Sequence, residues 1–517
     1  SEKRAWLEPL VAEFNSANQT TAAGNLIRIE AEPMGSIESV DKIITGEIQP
    51  TVWSPASSIY IPVANNEWRR LNGADLVDGN PNDLVLSPVV IAMWKPMAEA
   101  LGWPEKALGW SDIFELSTSD EGWEAYGYPE WGDFKFGHTH PEFSNSGITS
   151  VLAEAYAGAG KVRGLTEADV QADEVQAFMG AVEKSVIHYG RSTGFFADQL
   201  FNRGPSYLSA AVLYENLIVE QEQKRLSGES PQLPVVAIYP KEGTFWANHP
   251  YAVLNAPWVT DEEREAAELF EAFLLDRPQQ ERAIDLGFRP ADPAIALSAP
   301  LDAQHGVDPQ QPQTILEVPS AAVIDASLAT WRQVKKPVDL VVVMDISGSM
   351  SGSKIASARQ SLSQFLDLLG DQDRVQIILF NDELIEMSPL TPLGDKRTNL
   401  QNRIAGIVEG GDTSLYDAVG VGYEALLTNS DPDHIKAMIV LSDGEDTSSA
   451  SSLNQLTQAL SANLSEGGNA PKIFTIAFGS GADTAVLSQI SDVTGGQQYS
   501  GNEDSIYGIY IDIATFF

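Results

Sequence analysis

Apolar residues recur along the front of the chain in two rhythms. A helical period covers Trp6–Asn18, a brief apolar run over Leu26–Pro33 reads as a strand, and the helical period returns over Ser36–Thr45. Further apolar runs predict strands at Leu84–Met93, Asp133–Gly137 and Val235–Tyr239. Amphipathic stretches predict helices at Gly147–Ala157, Glu167–Glu183, Leu208–Gln223 and Asp261–Leu275. This alternation is that of an α/β domain with a mostly parallel sheet, and a span of this length suits two lobes better than one.

Between about Arg289 and Pro319 the chain turns Pro-, Ala- and Gln-rich, most loop-like at Asp308-Pro309-Gln310-Gln311-Pro312, which predicts a linker. A closing helix is expected at about 320–334. Lys335-Lys336-Pro337 then precedes the strongest buried-strand signal of the chain, Val338–Met344. The expected domains are therefore 1–335 and 337–517, with the junction at Lys336. Past it, strands at Arg374–Phe380, His434–Leu441 and Lys472–Phe478 alternate with helices near Ser353–Leu369, Ser414–Leu427 and Ser451–Ala462. Continuous runs such as Met438-Ile439-Val440-Leu441 predict central parallel strands covered on both faces.

Charge and composition narrow the function. The 517 residues include 72 acidic and 32 basic ones, a formal net charge of −40, and both parts of the chain are acidic. Such a surface repels phosphate backbones, which argues against a nucleic-acid partner. The absence of cysteine excludes disulfides, thiolate metal sites and thiol catalysis. No apolar stretch reaches membrane-spanning length, so no transmembrane segment is expected. Ser1-Glu2-Lys3-Arg4 opens directly into a helical pattern, and an exported protein whose signal has been removed is the expectation.

Asp345-Ile346-Ser347-Gly348-Ser349 follows the strand Val338–Met344 at its carboxyl end, where open α/β sheets place their sites. One carboxylate and two hydroxyls at alternate positions of a tight turn can face one hard cation. Taken alone the pentapeptide is weak, because Asp, Ser and Gly crowd loops for structural reasons. Two further elements follow in order: Gly410-Gly411-Asp412-Thr413-Ser414 opens a helix, and Ser442-Asp443-Gly444 ends a strand. Together the three resemble the von Willebrand factor type A domain and its metal-ion-dependent adhesion site, over residues 337–517. The resemblance implies a doubly wound, Rossmann-like fold. It also implies Mg²⁺ held by Ser347, Ser349 and Thr413, with Asp345 and Asp443 acting directly or through water, and an open position filled by an acidic side chain of a protein partner. Asp412 stands where that family commonly has glycine. With oxygen ligands alone, Mn²⁺ and Ca²⁺ also fit.

The front part carries a fainter signal. Leu26–Met34 delivers the chain to Gly35-Ser36 at a helix start, and Ser144-Asn145-Ser146-Gly147 forms a second such start. Free N–H groups there attract an anion or a carbonyl, although an ordinary serine cap produces the same pattern. With Val52-Trp53-Ser54-Pro55-Ala56-Ser57-Ser58, the run Leu86-Ser87-Pro88-Val89-Val90 and Tyr214-Glu215-Asn216, this layout resembles the bacterial extracytoplasmic solute-binding proteins over about residues 1–335. The resemblance implies a two-lobed fold, an extracytoplasmic location in the periplasm or at the cell surface, and a small anionic or polar solute bound near Gly35, Ser36, Ser57, Ser144, Asn145 and Ser146.

Two further groups of residues offer rival sites. His138, His140 and Glu142 offer transition-metal ligands but also suit a plain loop before a helix. Trp123, Tyr126, Tyr128 and Trp131 suit a sugar platform, and packing more readily. No phosphate-cradling Gly-x-x-x-x-Gly-Lys-Ser/Thr loop and no His-Glu-x-x-His occurs. The expectation is thus a non-enzymatic binding protein coupling solute capture to Mg²⁺-dependent partner recognition. The alternatives are an interaction scaffold whose front module binds no solute, and a type A subunit of a metal-chelatase-like ATPase machine.

Overall fold

Residues 2–431, 433–462 and 470–517 are described in the computed structural model. They divide into two units, Ser1–Val186 with Gly190–Val334, and Lys335–Phe517 with Ile187–Tyr189. The strands of the first unit are β1 (Val52–Trp53), β2 (Asn82–Asp83), β3 (Val85–Trp94), β4 (Phe136–Gly137), β5 (Ala210–Tyr214), β6 (Val235–Ile238), β7 (Trp246–Ala247), β8 (Pro250–Val253) and β9 (Arg289–Pro290). They build two separate sheets, β1-β8-β2 and β4-β5-β3-β6, with β7 and β9 paired to the leading end of β3.

Two lobes result. The first has its own core, in which Trp6, Leu10 and Phe14 of the helix Arg4–Ser16 meet Phe270 and Leu274 of the later helix Asp261–Leu275. Val85 belongs to that core, whereas Ile91–Trp94 lie in the second sheet, so β3 crosses between the lobes.

Four sequence expectations need correction. The front sheets are mainly antiparallel, because β3 runs against β5, β6, β7 and β9, and of these strands only β4 and β5 pair in parallel. Alternation of elements does not fix strand direction when the chain re-enters a sheet through a crossing strand. Leu26–Pro33 forms no strand: the Asn15 side chain donates to the Ile29 carbonyl and accepts from its N–H, both at 2.8 Å, so these backbone groups are satisfied by a helix side chain. Leu208–Gln223 is β5 followed by the helix Glu215–Ser227; all five residues of β5 are buried, and a fully buried run has no amphipathic period to read. Glu167–Glu183 breaks into Glu167–Val170 and Asp173–Glu183, with Ala172 extended between them.

The Pro- and Gln-rich stretch is packed into the first unit. Ile295, Leu301, Val307 and Leu316 are buried. Arg289 holds Glu215 with two bonds of 2.7 and 2.6 Å and donates to the carbonyls of Asp308 and Gln311. The helix Ala321–Val334 then packs on Asn145–Gly158 and Asp173–Glu183, and also on Tyr60–Asn72.

The second unit is one sheet: β10 (Val338–Asp345), β11 (Arg374–Phe380), β12 (Leu384–Pro392), β13 (Ile435–Ser442), β14 (Lys472–Phe478) and β15 (Gln498–Gly501), ordered β12-β11-β10-β13-β14-β15. Only the edge strand β12 runs antiparallel to its neighbour. Every residue of β10 is buried. Val341 and Val343 join one core with the helices Leu415–Asn429, Leu453–Ala462 and Thr484–Thr494. Leu340, Val342 and Met344, equally buried, face the other way, and the helices Ser353–Phe365 and Ile506–Ala514 pack together through Phe365 and Tyr510. The sheet is therefore covered on both faces, the doubly wound arrangement.

Candidate functional site

In this sheet β11 lies on one side of β10 and β13 on the other, so the chain reverses its winding between β10 and β13 and leaves a crevice at their carboxyl ends. Asp345 ends β10, and Asp443 directly follows β13. One Asp345 oxygen accepts the Ser347 N–H at 2.8 Å and the other accepts the Ser442 hydroxyl at 2.7 Å. The Ser347 and Ser349 hydroxyls are 3.0 Å apart, and Ser349 donates to Asp443 at 2.6 Å. Lys354, in the first turn of the helix Ser353–Phe365, donates to the second oxygen of Asp443.

The Thr413 loop is pinned to the same place. The Gly348 N–H reaches the Gly411 carbonyl at 3.0 Å, and the Gly410 N–H reaches the Ile346 carbonyl at 2.8 Å. Thr447 and Ser448 donate to the Thr413 carbonyl at 2.8 and 3.0 Å. Gly411 has φ of +86°, and a Cβ there would sit 1.9 Å from an Asp382 oxygen, so the loop needs glycine at this turn. Asn381 adds a bond of 2.6 Å to the Gly410 carbonyl.

The structure thus brings Asp345, Ser347, Ser349 and Asp443 into one hydrogen-bonded group and ties the Thr413 loop against it. Asp345 and Ser347 are buried rather than solvent-facing, because the turn folds down over the strand end; Ser349 is exposed, as is Asp412. Burial pushes the Asp345 carboxyl above its usual range, the bonds from Ser347 and Ser442 pull it down, and Asp443 adds a smaller upward push. Asp339, as deeply buried at the opposite end of β10, has Arg374 at 3.1 Å and the His434 ring at 2.8 Å. Among the described residues Asp345 has no such cation. Two carboxylates and a run of hydroxyls without nitrogen or sulfur are a donor set for a hard divalent ion. Sequence reasoning missed the roles of Ser442, Lys354 and Asn381. A polar residue ending a buried strand was the only signal for Ser442.

In the first unit the candidate hydroxyls are mostly engaged internally. Gly35 caps the helix Ser36–Thr45, and Ser36 accepts the Ala56 N–H at 3.0 Å, so it acts as a tie between loops rather than as the cap. Ser57, buried, donates to the Trp246 carbonyl at 3.3 Å. Ser144 and Ser146 lie 3.2 and 2.8 Å from the Thr193 hydroxyl, and Ser146 also meets Thr139 at 2.7 Å. Asn145 donates to the Tyr214 hydroxyl at 3.0 Å, while its Oδ1 is buried without a partner among the described residues. The Tyr60 hydroxyl of the first lobe is likewise buried and unpartnered. Burial, then the proximity of Tyr214, push its phenol well above the usual range.

His138, His140 and Glu142 do not converge. The His140 ring stands edge-on to Trp331 and Phe143, Glu142 pairs with Arg332, and His138 turns to Glu183 at 3.1 Å. Tyr128 and Trp131 stack at 4.0 Å, and Trp123, fully buried, meets Trp131 and Phe134 edge-on, so Trp123 is packing, while Tyr126 and Tyr128 stay exposed.

Comparison with known proteins agrees with this division. The family model described as bacterial extracellular solute-binding protein matches residues 1–289, and that of the von Willebrand factor type A domain matches residues 339–506. Inter-alpha-trypsin inhibitor heavy chain H4 of Homo sapiens is 29% identical over 180 residues, covering 33% of this chain and 19% of that protein. An uncharacterized protein of Mycobacterium tuberculosis is 24% identical over 304 residues, covering 55% of this chain and 42% of its own length. The chain therefore spans less than half of either relative. Among solved structures, a von Willebrand factor type A protein from Catenulispora acidiphila is 19% identical with a TM-score of 0.31, covering 35% of this chain and 42% of that one. Proximal thread matrix protein 1 from the mussel byssus, with a zinc-occupied MIDAS motif, is 15% identical with a TM-score of 0.29, covering 37% and 51%.

Proposed function

We propose that this chain, which belongs to the bacterial extracellular solute-binding protein family through residues 1–289 and carries a von Willebrand factor type A domain at residues 339–506, is a non-enzymatic extracytoplasmic protein that binds through both modules. In the type A module, Ser347, Ser349 and Thr413, with Asp345 and Asp443, hold Mg²⁺ or a similar hard ion, which offers its remaining position to an acidic side chain of a protein partner. The observation that carries the proposal is the convergence of Asp345, Ser347, Ser349 and Asp443 at the switch point of the sheet, in one hydrogen-bonded chain of oxygen donors. No helix of the described residues is long and apolar enough to cross a membrane.

In the front module a small polar solute lies against Asn145 and Tyr60. Asn145 presents an unpartnered acceptor and Tyr60 a protonated hydroxyl that can donate and accept, one from each lobe, so a neutral solute carrying both a donor and an acceptor suits them better than a bare anion. A second reading, a scaffold that binds no solute, is favoured by the internal engagement of Ser36, Ser57, Ser144 and Ser146. A thermal-shift screen of amino acids, sugars and oxyanions on the full chain separates the two. Stabilisation that Asn145→Ala abolishes supports capture, and no response across the screen supports the scaffold. Titration calorimetry with Mg²⁺ tests the type A module, and undiminished binding in Asp345→Ala would refute the assignment.

A further inference from the structure

The interior of the second lobe holds a group that neither proposed site uses. His138 follows β4, Glu154 lies within the helix Asn145–Gly158, and Glu183 closes the helix Asp173–Glu183. All three are 0% exposed, and one ligand atom from each lies within 4.8 Å of the others. His138 Nε2 is 3.1 Å from Glu183 Oε1. Both carboxylate oxygens of Glu154 are buried with no hydrogen-bond partner among the described residues.

The histidine ring gives this cluster its sense. Nδ1 lies 2.8 Å from the Thr139 carbonyl oxygen, an atom that only accepts, so Nδ1 carries the proton. In the neutral ring Nε2 is then a lone pair, and it faces a carboxylate oxygen, which is also an acceptor. An imidazolium would bring one positive charge against two carboxylates. A divalent ion brings two, and it binds the lone pair and both carboxylates at once. Nδ1–H donated to a backbone carbonyl is also the arrangement that orients a metal-ligating histidine.

We propose that His138 Nε2, Glu154 and Glu183 bind a divalent transition ion of the zinc or manganese class, enclosed in the second lobe and taken up as the chain folds. One imidazole nitrogen with carboxylate oxygens suits such an ion, in contrast to the oxygen-only crevice of the type A module. Complete burial makes it an ion of structure rather than of surface exchange.

The test uses the full chain carrying Asp345→Ala, which removes the other candidate centre. It is produced in medium supplemented with Zn²⁺ and Mn²⁺, desalted, and measured by elemental analysis. About one zinc or manganese per chain is expected, falling at least about tenfold in Glu154→Gln and in His138→Gln, since losing a ligand costs no less than losing its supporting partner. Stripping the metal should lower Tm, and adding Zn²⁺ should restore it in the parent but not in the variants, with far-UV circular dichroism reporting the fold. Where a variant does not fold, retained metal and Zn²⁺-dependent Tm in the parent decide. A metal-free parent, or equal metal in parent and Glu154→Gln, overturns the proposal. So does a Glu154→Gln chain of raised Tm whose stability, like the parent's, ignores Zn²⁺, because that is the behaviour of two carboxyls sharing a proton.

Discussion

Ser349 and Asp443, 94 residues apart in sequence, meet beyond the ends of β10 and β13: the Ser349 hydroxyl donates to the Asp443 carboxylate at 2.6 Å. The bond holds the turn after β10 against the turn after β13, and so brings a hydroxyl and a carboxylate from distant parts of the chain to one point. Ser349→Ala should weaken Mg²⁺ binding at least about tenfold while lowering stability by only about 1 kcal/mol, because the residue is exposed and its partner keeps Lys354. Asp345→Ala should remove binding at a larger cost to the fold, about 1–3 kcal/mol, since the Ser442 hydroxyl and the Ser347 N–H lose their acceptor. Asp345→Asn keeps an acceptor and should separate the two effects. Calorimetric titration and urea unfolding of each variant are the measurements.

Lys354 competes for the same carboxylate. Its ammonium pairs with Asp443, so a divalent ion bound by Asp443 stands close to a fixed positive charge. Lys354→Met should therefore raise Mg²⁺ affinity, by about threefold or more at low salt, and the gain should shrink as added salt screens the repulsion. Weaker binding in Lys354→Met would mean instead that the ammonium positions Asp443 for the ion.

How much of this was legible in the sequence depends on how each element is buried. β11 and β14 were placed to the residue, because strands covered on both faces read as unbroken apolar runs bounded by turns. The same property hid β5, whose Ala210–Tyr214 flows without punctuation into a helix. The Asp345 motif was legible because its donors sit at alternate positions of one turn, and Thr413 and Asp443 because each borders a strong element. Ser442 and Lys354 act through partners that only the sheet order brings near. His138, Glu154 and Glu183 come from three segments with no local spacing to mark them.

Arg289 should prove the main anchor of the Pro- and Gln-rich stretch. It is buried against Glu215 through two bonds and also collects the carbonyls of Asp308 and Gln311. Among the described residues Arg289→Ala leaves the fully buried Glu215 carboxylate with only the Tyr239 hydroxyl, so a loss of about 3–5 kcal/mol is expected in the urea transition of the first unit. Pairing it with Glu215→Gln should recover a good part of that loss, since the uncompensated charge is then gone. Limited proteolysis of Arg289→Ala should show new cleavage between 303 and 313, where the parent is held.

The pH response of the type A module follows from Asp345. Burial raises its folded-state carboxyl above the unfolded value, and Ser347, Ser442 and Asp443 modify that shift without adding a cation. A carboxyl raised in this way contributes stability that is fully present below its unfolded value of about 4 and is lost as pH rises through the folded value. Without divalent ions, acidification from neutral pH toward that window should therefore raise the contribution of Asp345 to stability. Mg²⁺ reverses the sign, because the ion needs the ionised carboxylate and its binding expels the proton. Affinity for Mg²⁺ should accordingly fall on acidification from a pH above the ordinary carboxylate range. Calorimetry at pH 5 and pH 7.5, in buffers of different ionisation enthalpy, should show more proton released per ion bound at the lower pH than at the higher. Asp345→Asn should abolish the proton release along with most of the binding. Equal affinity and no proton release at both pH values would mean that Asp345 is ionised throughout, and that the Ser347 and Ser442 bonds outweigh its burial.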